Sequence, residues 1–230
     1  MKLLITTRAD NNINKISDLT IPLIKQYAIK YNADFYIISS RPPILTDDDS
    51  WHFRVMELFK LLNNYDRILL LDCDLIIKKD CPNLFEIVPE DSIGSVIEDN
   101  FGWRKEERRM YIRKMQEQFG DLGWKEGHIN DSVFVVSKIH QSIFQPINGK
   151  YYTGPYSDDI HLGWQIHKQK FKIFELDPKF NMMRCFWENG YNRLDGYIIH
   201  YAGFPLEKRY KMIVNDLTTL YPNEYFMVNE

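Results

Sequence analysis

A chain of 230 residues with 44% hydrophobic residues has the composition of a soluble protein with a real core, and one domain is expected. The net charge of -3 arises from basic residues scattered among acidic ones, so bulk electrostatics argues against nucleic acid or a membrane surface as a partner. Met1 to Thr7 is too short for a signal peptide, no apolar run approaches the roughly 20 residues of a transmembrane segment, and three irregularly spaced cysteines suit free thiols; a soluble, cytoplasmic protein is expected.

Along the chain, Leu3 to Thr7 is an apolar run that stops at the polar stretch Arg8 to Asn12, the profile of a buried strand opening into a loop. Ile13, Ile16, Leu19, Leu23, Ile24, Tyr27 and Ala28 then recur at helical spacing, and Phe35 to Ile38 is a second strand. This β-α-β order implies a mostly parallel sheet with helices on both faces. After a Pro-flanked acidic loop holding Asp47 and Asp49, residues 53–62 predict a helix. Arg67 to Leu71 is the most apolar strand, and it delivers Asp72-Cys73-Asp74 at its carboxyl end, where open parallel sheets bind ligands. Further strands are expected over 93–97, 132–136, 171–176 and 198–200. Helices are expected over 103–119, from Ser157 or Asp158 as N-cap to about Lys168, and over 206–217.

Two carboxylates two residues apart can reach one hard cation that also takes substrate phosphate oxygens, so Asp72 and Asp74 are candidate Mn2+ or Mg2+ ligands. A bare D-x-D is common, and Asp47-x-Asp49 reads as a solvated turn. Asp72 and Asp74 differ in following a buried strand and preceding Leu75-Ile76-Ile77. Asp158 and Asp159 sit at a helix start, where one suffices for capping and the other is left for chemistry. Residues 100–127 form a Trp- and Arg-bearing insertion, in which Trp103 and Trp124 either stack on a sugar ring or pack in the core.

Four motifs occur in order: Arg54 with Tyr65 to Asp74 and the trailing Asn83-Leu84-Phe85; Asn130-Asp131-Ser132-Val133; Leu176-Asp177-Pro178-Lys179-Phe180-Asn181; and His200-Tyr201-Ala202-Gly203. Together they resemble the core of family 8 glycosyltransferases, the glycogenin-like enzymes. The resemblance implies the GT-A fold, an α/β Rossmann-like architecture. It also implies a metal-dependent glycosyltransferase that moves a hexose or deoxyhexose from a nucleotide diphosphate sugar, UDP-linked by analogy, to a carbohydrate or glycoprotein acceptor. By the same resemblance, Asp72, Asp74 and His200 bind Mn2+ (or Mg2+), while Thr6, Thr7 and Arg8 contact the nucleotide and Arg54 reaches phosphate or donor sugar. Cys73, Asn130 and Gly203 add further substrate contacts. The family's Lys-Pro-Trp after H-x-x-G is absent, so Lys208 or Arg209 is expected to supply the phosphate-binding charge. Asp159, with Asp158 beside it, falls where such enzymes keep a catalytic residue near the sugar: a general base if inverting, a transition-state stabiliser if retaining. One domain over 1–230 is implied, with the nucleotide at about 1–100, the acceptor at about 101–200, and a terminal helix and tail at 201–230.

Three rivals fit less of the chain. A haloacid-dehalogenase-type phosphatase also uses strand-then-D-x-D, but that motif opens its domain and carries Thr where Ile76 stands. A sugar-1-phosphate nucleotidyltransferase needs a glycine-rich loop, and Thr6 to Asn12 has no glycine. A non-catalytic nucleotide-sugar-binding module would keep the fold without needing Asp159.

Overall fold

The apolar segment Arg67–Asp72 lies at the centre of the molecule because both of its faces are buried. Alternate side chains point to opposite sides of a strand, and here Leu69 and Leu71 join one hydrophobic core while Ile68 and Leu70 join another. The computed structural model describes residues 1–40 and 51–223, and the loop with Asp47 and Asp49 lies outside them. In chain order the strands are β1 Leu3–Arg8, β2 Asp34–Ile38, β3 Arg67–Asp72, β4 Leu75–Ile77, β5 Ser92–Ile97, β6 Ile129–Ser137, β7 Lys172–Glu175 and β8 Ile198–His200. The helices are α1 Asn14–Lys30, α2 Leu58–Leu61, α3 Leu84–Ile87, α4 Arg104–Phe119, α5 Ser157–Gln169, α6 Arg184–Trp187 and α7 Leu206–Leu220.

Six strands form one sheet in the order β2-β1-β3-β6-β5-β7. All neighbours in it are parallel except at β6, which runs antiparallel to both β3 and β5. The expected mostly parallel sheet is therefore present, with one reversed strand. That reversal has a consequence for the site. The carboxyl ends of β1, β3 and β5 lie along one edge, and β6 places its beginning, Asn130 and Asp131, at that same edge. On one face α1 contributes Ile24 and Tyr27 to the core beneath Leu69 and Leu71. On the other face Leu58 of α2 and Leu162 and Ile166 of α5 cover Ile68 and Leu70. A second, two-stranded sheet pairs β4 antiparallel with β8, and its register sets His200 opposite Leu75.

Two local expectations change, and one open reading is decided. The helix expected over 53–62 is 3-10 helix from Trp51 to Glu57 before α2 begins. The tighter turn eclipses residues three apart, which aligns the buried Phe53 and Met56. The N-cap of α5 is neither Ser157 nor Asp158 but Tyr156, in the left-handed region at φ 55°. Its ring lies 3.4 Å from the Arg108 guanidinium, a contact that offsets the roughly 1 kcal/mol cost of that backbone conformation. Trp124 is 3% exposed and lies against Gly163, where an added Cβ would sit 2.5 Å from the indole; of the two open readings it takes the core one.

Buried histidines accompany this packing. His161 is fully buried, with Nε2 2.9 Å from the Gln145 carbonyl and Nδ1 accepting the Tyr152 amide. These contacts require the neutral ring, and burial pushes its pKa down to about 4. A histidine whose folded pKa lies below its unfolded value near 6.5 contributes stability that is present above pH 6.5 and lost as pH falls towards 4. The stability advantage of the wild type over His161→Gln should therefore narrow by about 2 kcal/mol between pH 7.5 and pH 5, since a tenfold difference in proton affinity is worth about 1.4 kcal/mol. Urea unfolding of both proteins at the two pH values measures it; a constant difference would exclude the neutral buried ring.

Candidate active site

Arg8 ends β1 beside Asp72, which ends β3, because the register of the two parallel strands pairs them. The Arg8 side chain is 7% exposed, and a buried guanidinium is tolerated only when its N–H groups meet acceptors. Its Nε and Nη2 donate to Asp72 Oδ1 at 3.0 and 2.5 Å. Nη2 and Nη1 also grip Asp131 as a fork, at 2.9 and 3.0 Å, and Nη1 reaches Asp158 Oδ2 at 3.1 Å. Burial lowers the pKa of Arg8, but Asp131, Asp72 and Asp158 outweigh it and keep the guanidinium charged.

Asp74 is ordered in the same way on the other side. Its Oδ2 accepts from Arg209 at 2.7 Å, leaving Oδ1 3.2 Å from His200 Nε2. Asp72 correspondingly turns Oδ2 towards His200 Nε2, at 3.8 Å. Each carboxylate thus has one oxygen tied to an arginine and the other aimed at a common point. His200 Nδ1 lies 2.9 Å from Asn181 Oδ1, so Nδ1 donates there, and in the neutral ring Nε2 is left as a lone pair. That Nε2 is buried without a hydrogen-bond partner. A lone pair facing two carboxylate oxygens is repulsive unless a proton or a cation lies between them. Burial lowers the pKa of His200, yet Asp74 and Asp72 raise it overall, as this crowding requires. One nitrogen and two carboxylate oxygens form a donor set that suits Mn2+, and Mg2+ less well, so the residues fit the expected metal. Burial pushes Asp72 and Asp74 up, but Arg8 and His200 for Asp72, and His200 and Arg209 for Asp74, hold both below the usual carboxylate range.

A cavity of about 680 Å3 lies on the α7 side of Asp72 and Asp74, bounded also by Asp10, Arg54, Cys73 and Arg209. A second, of about 600 Å3, lies on the α4 and α5 side and holds Asp131, Asp158, Asp159 and Trp103. Arg8, Asp72 and Gly203 border both. Gly203, at φ 81°, is in the backbone region that favours glycine, with nothing within 4 Å of its missing Cβ.

The remaining predicted residues fall into two groups. Arg54 is ion-paired with Asp10, and Cys73 is buried with its carbonyl accepting the Thr20 hydroxyl; both border the first cavity. Asn130 borders the second cavity, bonded to Glu98 at 2.6 Å and to Asn181 at 2.7 Å. Thr6 and Thr7 are fully buried and border neither, and the Thr6 hydroxyl donates to the Tyr36 carbonyl. Lys208 lies over the Phe204 ring on the outer side of α7, so of the two candidate cations only Arg209 reaches the acidic pair. Asp158 does not cap α5; it pairs with Arg8. Asp159 Oδ1 accepts the Asp131 amide at 2.7 Å, and among the described residues it has no ion pair. Burial, then Asp131, Asp158 and Glu98, raise its pKa well above the usual range.

Asp131 and Glu98 join the site without having been expected there. Asp131 stands inside the Asn130-Asp131-Ser132-Val133 motif, and Glu98 directly follows β5, so strand-end position was the available signal. Glu98 is 2% exposed and is bound by Arg104 and Arg108, each at 2.8 Å. Burial pushes its carboxyl up, but Arg104 and Arg108 hold it down at about 2. Arg8→Met would leave the buried carboxylates uncompensated and should cost about 3 kcal/mol of folding stability at pH 8. Asp131, already raised, would take up a proton as pH falls; a folded pKa above the unfolded value gives stability that is present at low pH and lost on going up. The deficit should therefore shrink at pH 5, and denaturant unfolding at the two pH values tests it.

The model of the family described as "Glycosyl transferase family 8" matches residues 3–205. No curated protein matches the chain. Among solved structures, a glycosyltransferase involved in glycosylation of the major capsid of PBCV-1 is similar over 94% of this chain and 100% of its own, with 15% identity and a TM-score of 0.60. The galactosyltransferase LgtC, solved with donor and acceptor sugar analogues, is similar over 92% of this chain and 95% of its own, with 13% identity and a TM-score of 0.59. The bifunctional glycosyltransferase WbbM is similar over 97% of this chain and 52% of its own, with 14% identity and a TM-score of 0.65. The fold is GT-A, and with most of its length matched the chain belongs to glycosyl transferase family 8.

Proposed function

We propose that this glycosyltransferase moves a hexose or deoxyhexose from a nucleotide diphosphate sugar, UDP-linked by preference, to a carbohydrate or glycoprotein acceptor. Asp72, Asp74 and His200 would hold Mn2+ (or Mg2+). The observation that carries this reading is the convergence of Asp72 Oδ2, Asp74 Oδ1 and His200 Nε2, with the other carboxylate oxygens tied to Arg8 and Arg209. A divalent cation there supplies positive charge to the diphosphate leaving group.

The chain's own residues divide the remaining work. The cavity with Arg54, Cys73 and Arg209 takes the nucleotide diphosphate, and Arg209 supplies the phosphate-binding charge that a lysine gives elsewhere in the family. The cavity with Asp158 and Asp159 takes the transferred sugar and the acceptor. Asp158, held by Arg8, accepts hydrogen bonds from sugar hydroxyls. Among the described residues Asp159 has no ion pair, and its pKa is raised by burial and by its acidic neighbours, which suits it to exchange a proton with the acceptor hydroxyl. The chain acts as one domain, with residues 1–100 chiefly on the nucleotide side and 101–200 on the acceptor side.

Calorimetric titration with UDP and GDP, with and without Mn2+, tests the donor half. Binding should strengthen at least tenfold with metal, and Asp74→Ala should remove that gain; metal-independent binding, or none, would sink the reading. Asp159→Asn keeps an oxygen that can accept the Asp131 amide, so it should bind UDP within about threefold of wild type while losing transfer by about 100-fold or more. Normal turnover of that variant would remove Asp159 from the mechanism.

A further inference from the structure

The residue that the donor half leaves unused is Trp103, immediately before α4. It is 58% exposed, whereas Trp124 and Trp164 are 3% and 2% exposed. It borders the same cavity as Asp131, Asp158 and Asp159. An indole left in water on the wall of a polar cleft forgoes the burial that usually stabilises it.

Its position is held rather than loose. The indole Nε1 donates to Glu188 at 3.3 Å. The Arg104 guanidinium lies over the ring at 5.5 Å and is itself bound to Glu98. Gly102, at φ 56°, turns the chain into Trp103 so tightly that a Cβ there would sit 2.8 Å from the Asn189 side chain. Trp103 is thus fastened to both α4 and the segment after α6, with ring surface still open to the cleft.

We propose that Trp103 is the platform for a pyranose ring of the acceptor, whose C–H face stacks on the indole while its hydroxyls turn towards the carboxylates on the cleft floor. The chemistry is complementary. A pyranose has an apolar face with electron-poor C–H bonds, and an indole has an electron-rich face; the ring edges of the sugar carry hydroxyls that carboxylates accept. One oxygen from each of Asp131, Asp158 and Asp159 lies within 4.8 Å of the other two, which gives such a ring closely spaced acceptors. A linear polyol has the hydroxyls without the flat face and would not be retained. This inference rests on the glycosyl transfer reading above and names the acceptor class for it.

The test is saturation-transfer NMR on the full chain with saturating UDP and Mn2+, using methyl pyranosides of glucose, galactose, mannose, xylose, fucose and rhamnose as probes and sorbitol as the acyclic control. The wild type should transfer saturation to ring C–H protons of at least one pyranoside and not to sorbitol. Trp103→Ala should weaken that binding about tenfold and Trp103→Phe about threefold or less, the range expected of an aromatic contact. Because Trp103 is exposed, both variants should keep the wild-type melting temperature and UDP affinity. Equal pyranoside binding by Trp103→Ala, equal binding of sorbitol, or no pyranoside binding at millimolar concentration would overturn the platform. Failure of UDP binding in the wild type would instead overturn the glycosyl transfer reading on which it rests.

Discussion

A guanidinium buried among carboxylates organises this molecule. Arg8 leaves the end of β1 and is held by Asp72 from β3, Asp131 from β6 and Asp158 from α5. Desolvating that cation would be prohibitive alone, and desolvating three carboxylates beside one another would be worse. Each is tolerated because the other is present, so the ends of two strands, the start of a third and the first turn of a helix are drawn to one point. The orientation of Asp72 follows from it. With Oδ1 engaged by Arg8, only Oδ2 is left to face His200, and Arg209 imposes the same division on Asp74.

The two arginines also set the protonation of the site. Beside them and His200, Asp72 and Asp74 are held below the usual carboxylate range despite burial. Deeper in the cleft, one guanidinium cannot offset every carboxylate, and Asp131 and Asp159 are pushed up by burial and by each other's neighbours. Groups of one chemical type are thus driven apart in proton affinity by their surroundings, the condition under which carboxylates take different roles in one reaction. The boundary between the two regimes is Arg8, which borders both cavities.

Much of this was legible in the residues. The apolar run ending at Asp72-Cys73-Asp74 identified the central strand and the edge where the acidic residues gather, and His200 stood out through its place before Gly203 at a later strand. What the residues left open or misplaced shares a cause. Tyr156 rather than Ser157 or Asp158 precedes α5 because a cation–π contact with Arg108, 48 positions earlier in the chain, stabilises a backbone conformation that local preference disfavours. Trp124 is core because Gly163 opens a slot for it across a helix pair, while Trp103 in the same insertion stays open to the cleft. Nothing in the spacing of Lys208 and Arg209 distinguishes them; one residue of helical rotation sends the first to Phe204 and the second to Asp74.

By itself the sequence determined the order of the main strands and helices, though not the short β4, α3 and α6, together with the buried character of β3 and the acidic pair at its end, because periodicity, strand-end position and ordered motifs are local properties that a chain displays in one dimension. Only the tertiary structure decided which carboxylate oxygen meets which arginine, that β6 reverses to bring Asp131 beside Arg8, and that Asp159 accepts the Asp131 amide. Those outcomes depend on strand register and on contacts between residues more than 100 positions apart, such as Arg8 with Asp131 and Asp74 with Arg209. A shift of one residue in the register of β1 or β6 would turn Arg8 or Asp131 to the opposite face of the sheet.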